Sequence, residues 1–408
     1  MATIVQASTT SAVAHRNVYL DQSAYGAMRQ SGDWRSSKIG AALLHAQNAG
    51  TAQIWAGPTN VIETIQASNI QTRKEIASLM LELIEAKRMW WGHEFEVIED
   101  FFLFLERFAP GAIRHRDYFR HYGDVARQTW LGALALTAAT GGPHFGPIID
   151  SLRHTKTMNQ LIHARFALNP GDWVASMADA AKELKTAASD PLAELERMST
   201  EEMENEIKRL QSSTKRLDKS TLEKLNKNRD TIAKAYGAIE IGAMLGVVFK
   251  LPFDLELTLD IPRIVSRWNE IQTATGCEPL PKYIREADES RLCGDSSIAI
   301  EVIQLAIRAS ARRGLLTTSI GVHVILREMQ QCMNANELPT GGLAFDADHA
   351  VALTRHEVFV THDERLAGTL KTMAKVIEKT TGGKCQPEVV TTARQLEQVL
   401  ARPVRSDN

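Results

Sequence analysis

The chain has 408 residues, of which 44% are hydrophobic and 24% are charged. This composition is close to that of soluble globular domains, and it excludes a wholly disordered chain. The 47 basic side chains nearly balance the 49 acidic ones, which gives a net charge of −2. Binding to nucleic acid or to a membrane surface would therefore need a local patch.

Four cysteines are too few for a disulfide scaffold and too widely spaced for a zinc knuckle: Cys277, Cys293, Cys332 and Cys385. Residues 2–14 have neither the cationic start nor the apolar core of a signal peptide. The longest apolar run, 241–249, is far shorter than the roughly 20 residues that span a bilayer. We therefore expect a cytoplasmic protein with no membrane segment.

Short β-prone runs lie near both ends of the chain. Residues 17–20 and 52–56 form the first two, and the second is followed by a helical pattern with Thr59 as its predicted N-cap, although the preceding proline could shift the start. Residues 358–361 and 387–391 form the last two, and a helix is predicted to begin near Asp363. Alternating strands and helices predict an α/β fold with a parallel sheet.

The middle of the chain is predicted to be almost entirely helical. Apolar periodicity runs through 75–108, 298–307 and 320–329. A strongly charged stretch, 201–228, keeps regularly spaced apolar residues and predicts a protruding helical hairpin near 185–235. Linkers are predicted at 187–191 and 273–281.

Carboxylates stand at the predicted ends of the strands. Asp21 follows the first strand, Asp363 follows the third, and Glu63 lies one turn into the helix after the second. Asp346 and Asp348 are predicted at the start of another helix. Because ligands of an open parallel sheet bind outside the carboxyl ends of its strands, these acids are expected to converge.

Several carboxylates in one crevice repel each other and are hard to keep ionised. A divalent cation removes this repulsion, and Mg²⁺ and Mn²⁺ prefer oxygen ligands. Two such ions about 4 Å apart can stabilise both the attacking and the leaving oxygen of a phosphodiester. The acids therefore predict a site for Mg²⁺ or Mn²⁺.

Four segments resemble the ordered acidic motifs of PIN-domain nucleases: Tyr19-Leu-Asp-Gln-Ser23, Thr59-Asn-Val-Ile-Glu63, Asp348-His-Ala-Val-Ala352 and Val358-Phe-Val-Thr-His-Asp363. Residues 387–396 resemble the closing strand and helix of that fold. The resemblance implies a PIN-like three-layer α/β/α fold with a parallel sheet. It also implies a metal-dependent endonuclease, usually one that cleaves single-stranded RNA.

Carried onto this chain, the resemblance assigns the catalytic and metal-binding acids Asp21, Glu63, Asp348 and Asp363. Asp346 competes with Asp348 for the third place, and Thr361 matches the threonine of the family's T-x-D turn. The expected supporting residues are neighbours of the acids that could orient water, contact the scissile phosphate or shuttle protons: Ser23, Asn60, Thr361, His349 and His362.

The resemblance covers about 15–90 and 340–400. It predicts a discontinuous nuclease domain, 15–90 and 340–408, interrupted by a helical insertion, 91–339. Typical members place the second and third acids in one short segment, whereas here the insertion separates Glu63 from Asp346. Insertions of this kind are tolerated when their ends stay close.

Basic residues offer candidate contacts with nucleic acid. Lys371, Lys375 and Lys379 recur at four-residue spacing, which fits either a stripe that guides a phosphate backbone or an ordinary solvated face. Arg114 and Arg116 belong to a run that interleaves basic and aromatic residues, which fits either single-strand binding or an amphipathic helix.

Other interpretations remain open. A degenerate PIN-like core could be a non-catalytic scaffold that binds a protein partner through the helical insertion. The pairs Arg116/His121 and Arg88/His93 fit the R-x4-H spacing of metal-independent HEPN ribonucleases, at about the frequency expected by chance. Small PIN proteins are often toxins held by an antitoxin, so the resemblance also fits an antitoxin partner. A homo-oligomer is a further open interpretation. Each acid, finally, fits an ordinary role as turn former, N-cap or solvated residue.

Overall fold

A computed structural model describes residues 15–84, 88–142, 146–168, 197–212, 258–335, 337–383 and 385–402, together with Lys227. The four predicted strands are confirmed as β1 (Arg16–Leu20), β2 (Ala52–Trp55), β3 (Val358–Val360) and β4 (Glu388–Val390). They form one sheet of order β2-β1-β3-β4 in which every pair is parallel. Strands from both ends of the chain therefore complete a single sheet, and the fold is α/β.

Helices make up most of the remaining described chain. In the first part they are α1 (Gln22–Gln30), α2 (Lys38–Asn48), α3 (Pro58–Gln66), α4 (Ile70–Leu83), α5 (His93–Phe108), α6 (Arg116–Thr140), α7 (Gly146–Leu168) and α8 (Thr200–Ser212). Further along they are α9 (Ile261–Ser266), α10 (Trp268–Thr275), α11 (Lys282–Arg285), α12 (Glu289–Gly294), α13 (Ser296–Arg313) and α14 (Leu316–Ala335). The last three are α15 (Leu343–Val351), α16 (Glu364–Thr380) and α17 (Ala393–Leu400).

Helices cover both faces of the sheet. Val18 and Leu20 of β1 pack with α1 to α4 and α17 in one apolar cluster. Tyr19, between them, faces the other way and packs with Phe359 against α14, α15 and α16. Burial on both faces explains why β3 is a continuous apolar run rather than an alternating one.

A second apolar core lies away from the sheet. It is built by α5, the start of α6 and α9 to α13, with Phe101 and Phe102 among its fully buried side chains. The described part of the predicted charged hairpin is α8, which packs its apolar residues Met203 and Ile207 onto α7. The rest of that predicted hairpin, the run 241–249 and the predicted linker 187–191 lie outside the described residues, apart from Lys227.

Three local predictions need correction. The helix after β2 begins at Pro58 rather than after Thr59, because proline suits the first helical position and Asn60 completes the cap by accepting from Gly57 N–H at 2.8 Å. The periodicity of 75–108 is divided between α4 and α5, with Gly92 before α5 at a φ of 106° that favours glycine. The predicted linker 273–281 is helical as far as Thr275.

Among the described residues, no helix has both the length and the apolar character needed to cross a bilayer.

The central position of β3 makes a prediction about stability. Phe359 is fully buried, and its ring centroid lies 5.4 Å from that of Tyr19. Phe359→Ala is expected to lower the free energy of unfolding by about 3–5 kcal/mol, because it removes buried apolar surface and leaves a cavity. Val376→Ala, at an exposed apolar position of α16, should change it by less than about 0.5 kcal/mol. Urea denaturation of both variants measures the difference, and equal midpoints would contradict the assigned core.

Candidate acidic site

The order of the sheet defines where a ligand would bind. From β1 the chain continues to β2 on one side, while β3 lies on the other side, so the strand order reverses between β1 and β3. In open parallel sheets, ligands bind at this reversal, outside the carboxyl ends of the strands. Asp21 and Thr361 are the first residues after β1 and β3, and the Asp21 N–H donates to Val360 O at 3.1 Å.

Asp21 is held by donors from both strand ends. Its side chain is only 3% exposed, and it accepts from the Thr361 hydroxyl at 2.6 Å, the Ser23 hydroxyl at 2.8 Å and the Ala24 N–H at 2.9 Å. Burial raises the pKa of Asp21, and the nearby His349 and these hydrogen bonds only partly offset that effect. Asp21 and the threonine of the T-x-D turn are thus in direct contact.

The turn after β3 connects Asp21 to Asp363. The Ser23 hydroxyl oxygen accepts from the His362 N–H at 2.7 Å, and the Thr361 hydroxyl oxygen accepts from the Asp363 N–H at 3.0 Å. The Asp363 carboxylate caps α16 by accepting from the Leu366 N–H at 2.9 Å. Asp363 and His362 are both exposed. Asp363 is therefore an N-cap that lies at the solvent side of the site.

Glu63 reaches the site through a buried histidine. Nε2 of His349 lies 2.8 Å from Glu63 Oε2, and Nδ1 lies 3.0 Å from the Tyr19 hydroxyl. His349 is only 2% exposed. Burial lowers the pKa of its imidazole, but Glu63, Asp21 and Asp346 outweigh burial and leave the pKa raised. The three carboxylates therefore favour the protonated form of this histidine.

Asn60 supports the same edge from α3. Its amide donates to the Leu20 carbonyl at 3.0 Å, at the end of β1. Asn60 is fully buried, and its side chain joins the start of α3 to the strand that precedes Asp21. In this structure it fixes backbone rather than contacting a carboxylate.

The two competing acids of α15 lie in different surroundings. Burial, followed by the charges of Glu63, Glu328 and Asp363, raises the pKa of Asp346 to about 7, although His349 acts in the opposite direction. Asp348, two residues further on, points elsewhere on the helix, and its Oδ1 lies 2.7 Å from His93 Nδ1. The structure therefore groups Asp346, rather than Asp348, with Glu63 and Asp363.

Two residues near these acids were not predicted. Glu328 of α14 is 4% exposed, accepts from the Thr369 hydroxyl at 2.7 Å and forms an ion pair with Arg365. The sequence did offer one signal for Glu328, because it is the acid within the apolar run 320–329. Glutamate is rarely buried without a partner, so its position there indicates a buried ion pair. Arg365 carried no comparable signal, because it is one of many arginines on helices.

The basic candidates are placed in two different ways. Lys371, Lys375 and Lys379 are exposed on α16, the helix that Asp363 caps. Arg114 pairs with Asp260 at 2.9 Å, and Arg116 pairs with Glu99 and Glu106. The arginines are thus engaged by carboxylates, whereas the lysines present charge to solvent.

The donor set fits a hard divalent cation. Asp21, Glu63, Asp346 and Asp363 offer carboxylate oxygens, and the pKa of Asp346 is raised by burial and then by neighbouring negative charge. Within the part of the chain that the structure describes, no group of three or more His, Cys, Asp or Glu side chains is arranged to hold an ion as it stands. Side chains of this set would have to turn toward a bound ion.

Comparisons of the chain with protein-family models, with curated proteins and with solved structures find no match.

The raised pKa of Asp346 predicts how stability depends on pH without metal. Between pH 3.8 and about 7, the folded protein keeps a proton on Asp346 that the unfolded chain releases. The free energy of unfolding contributed by this group therefore falls as the pH rises through that window. Asp346→Asn removes this contribution, so the variant should gain stability relative to the wild type as the pH rises. Urea denaturation in EDTA across the window measures the difference, and a constant difference would refute the prediction.

Proposed function

We propose that this protein is a metal-dependent endonuclease of PIN-like type that hydrolyses phosphodiester bonds, with single-stranded RNA as its substrate. One observation carries the proposal. Asp21 and Thr361 are in direct contact at the reversal point of a parallel sheet, and Asp363 follows Thr361 by two residues. The motif resemblance supplies the reaction class.

Asp21, Glu63, Asp346 and Asp363 are the proposed ligands of Mg²⁺ or Mn²⁺. When bound, the ion supplies Lewis-acid chemistry and a more nucleophilic water. Thr361 and Ser23 orient Asp21, and His349 orients Glu63. Because carboxylates bind metal in their ionised form, loading the site displaces the proton that Asp346 holds near pH 7. Asp348, paired with His93, takes a supporting place in this proposal.

The proposed domain arrangement follows from the same geometry. Residues 15–90 and 340–408 form the PIN-like nuclease domain, and 91–339 form the helical insertion. The ion pair between Arg355, just before β3, and the buried Glu96 of α5 supports a fixed attachment of the two parts. Glu96 also accepts from the Trp90 indole N–H at 3.0 Å. The base of the insertion is thus tied to the segment that leads into β3.

Replacement of Asp363 tests the activity. Asp363→Asn should reduce Mn²⁺-dependent cleavage of labelled single-stranded RNA by at least about a hundredfold, because it removes a ligand charge while asparagine still caps a helix well. Asp295→Asn is the matched control, since Asp295 caps α13 in the same way away from the site. EDTA should stop the wild-type reaction. Equal cleavage by the Asp363→Asn variant and its control, or cleavage that survives EDTA, would refute the proposal.

The lysines of α16 test the class of substrate. Changing Lys371, Lys375 and Lys379 together to Gln should weaken RNA binding and reduce the slope of log affinity against log salt by about 2, at about 0.7 per phosphate contact. The control changes exposed lysines on other helices, Lys208 and Lys282, to Gln. Fluorescence anisotropy over a salt series measures both. An unchanged slope in the triple variant would assign these lysines to a solvated face.

A further inference from the structure

A pocket of about 180 Å³ opens beside the acidic site. Asp346 and Asp363 line it together with Arg365, and Leu343 and Leu366 add apolar surface. The remaining lining comes from α14 and from the loop before α15. The pocket therefore shares two of the proposed metal ligands and joins them to a cation.

Arg365 has one edge fixed by the protein. Its Nε donates to Gln331 Oε1 at 3.1 Å and pairs with the Glu328 carboxylate, while Nη2 lies 3.0 Å from Cys332 Sγ. No hydrogen-bond acceptor is within reach of Nη1 anywhere in the described ranges, and 43% of the side chain is exposed. The guanidinium is thus held in position with one amino group left for a ligand.

The partner of Arg365 is fixed in turn. Glu328 is buried, and the Thr369 hydroxyl holds its other oxygen at 2.7 Å. Arg365 forms its ion pair with Glu328 and not with Asp346 or Asp363. Glu328 also lines the pocket, so Arg365 is paired with one of its three carboxylates and leaves the two proposed metal ligands unpaired among the described contacts. An anchored guanidinium of this kind suits a phosphate, since its planar N–H groups match phosphate oxygens.

We propose that this pocket binds a backbone phosphate of the RNA next to the scissile bond, with Arg365 as the residue that contacts it. This inference rests on the proposed nuclease function, because that function puts phosphodiesters at Asp346 and Asp363. An anionic backbone that approaches several carboxylates is repelled, and a fixed cation in the same pocket offsets the repulsion. Arg365 would thereby set where along the strand the cut falls.

Binding without metal tests the inference separately from cleavage. A fluorescein-labelled single-stranded uridine oligonucleotide is titrated in EDTA over a salt series. Arg365→Met should weaken affinity about tenfold, the effect of losing a hydrogen bond to a charged group, and should lower the salt slope by about 0.7. Arg402→Met is the matched control, because Arg402 pairs with Glu388 at 2.8 Å, at the opposite end of β4 from the site. The control should bind like the wild type.

A second variant distinguishes a loss of RNA binding from a loss of folding. Arg365→Met leaves Glu328 buried without its cation, which can destabilise the fold. The double variant Glu328→Gln/Arg365→Met removes that charge, and the glutamine can still accept from Thr369. Weakened binding in the folded double variant supports the inference. Wild-type affinity and salt slope in that variant overturn it.

The remaining outcomes separate the two proposals. Metal-dependent cleavage by the wild type, with unchanged RNA binding in the Arg365 variants, overturns this inference and leaves the nuclease proposal standing. RNA binding that needs Arg365 without any cleavage supports the phosphate pocket and counts against the nuclease. Uridine monophosphate is titrated in parallel, and loss of its binding alone would assign Arg365 to free nucleotides and overturn the inference.

Discussion

The site depends on one buried contact, the hydrogen bond from the Thr361 hydroxyl to the Asp21 carboxylate. The two residues are 340 positions apart in the chain, and they meet only because β1 and β3 pair side by side. The same contact fixes the turn that presents Asp363 and the serine that holds Asp21. If β3 slipped by one residue against β1, the Thr361 side chain would turn away from Asp21. The strand register is therefore what places Asp21 beside the turn that carries Asp363.

The carboxylates of this region are compensated in separate ways. Glu63 faces a buried histidine, Glu328 faces an arginine, and Asp21 is surrounded by hydroxyl and amide donors. Asp346 has neither an ion pair nor a capping role among the described contacts, and its pKa is raised to about 7. Because an isolated buried charge is costly, this group is the one most responsive to an added cation or proton. Asp346 is thus the one carboxylate of this set whose charge is not offset by an ion pair or a capping hydrogen bond among the described contacts.

Part of this arrangement could be predicted from the sequence. The four strands are short apolar runs flanked by helical patterns. Asp21 follows β1 directly and Asp363 follows β3 by three residues, so their place at the carboxyl edge follows from topology alone. The choice between Asp346 and Asp348 could not be predicted, because the rotation of α15 is set by its packing on α14. Glu328 and Arg365 were also missed. They act through contacts across the chain, and no local pattern marks such contacts.

The sheet is built from strands near both ends of the chain, and this constrains the order in which it can form during synthesis. A ribosome releases β1 and β2 long before β3 and β4, although β3 lies between β1 and β4 in the finished sheet. During synthesis β1 therefore has one unpaired edge, which is a hazard for pairing with another chain. The intervening helices, with their own apolar core, can fold in that interval. Acidic side chains that form the site cannot assemble until the last segments emerge, so an incomplete nascent chain carries no assembled site.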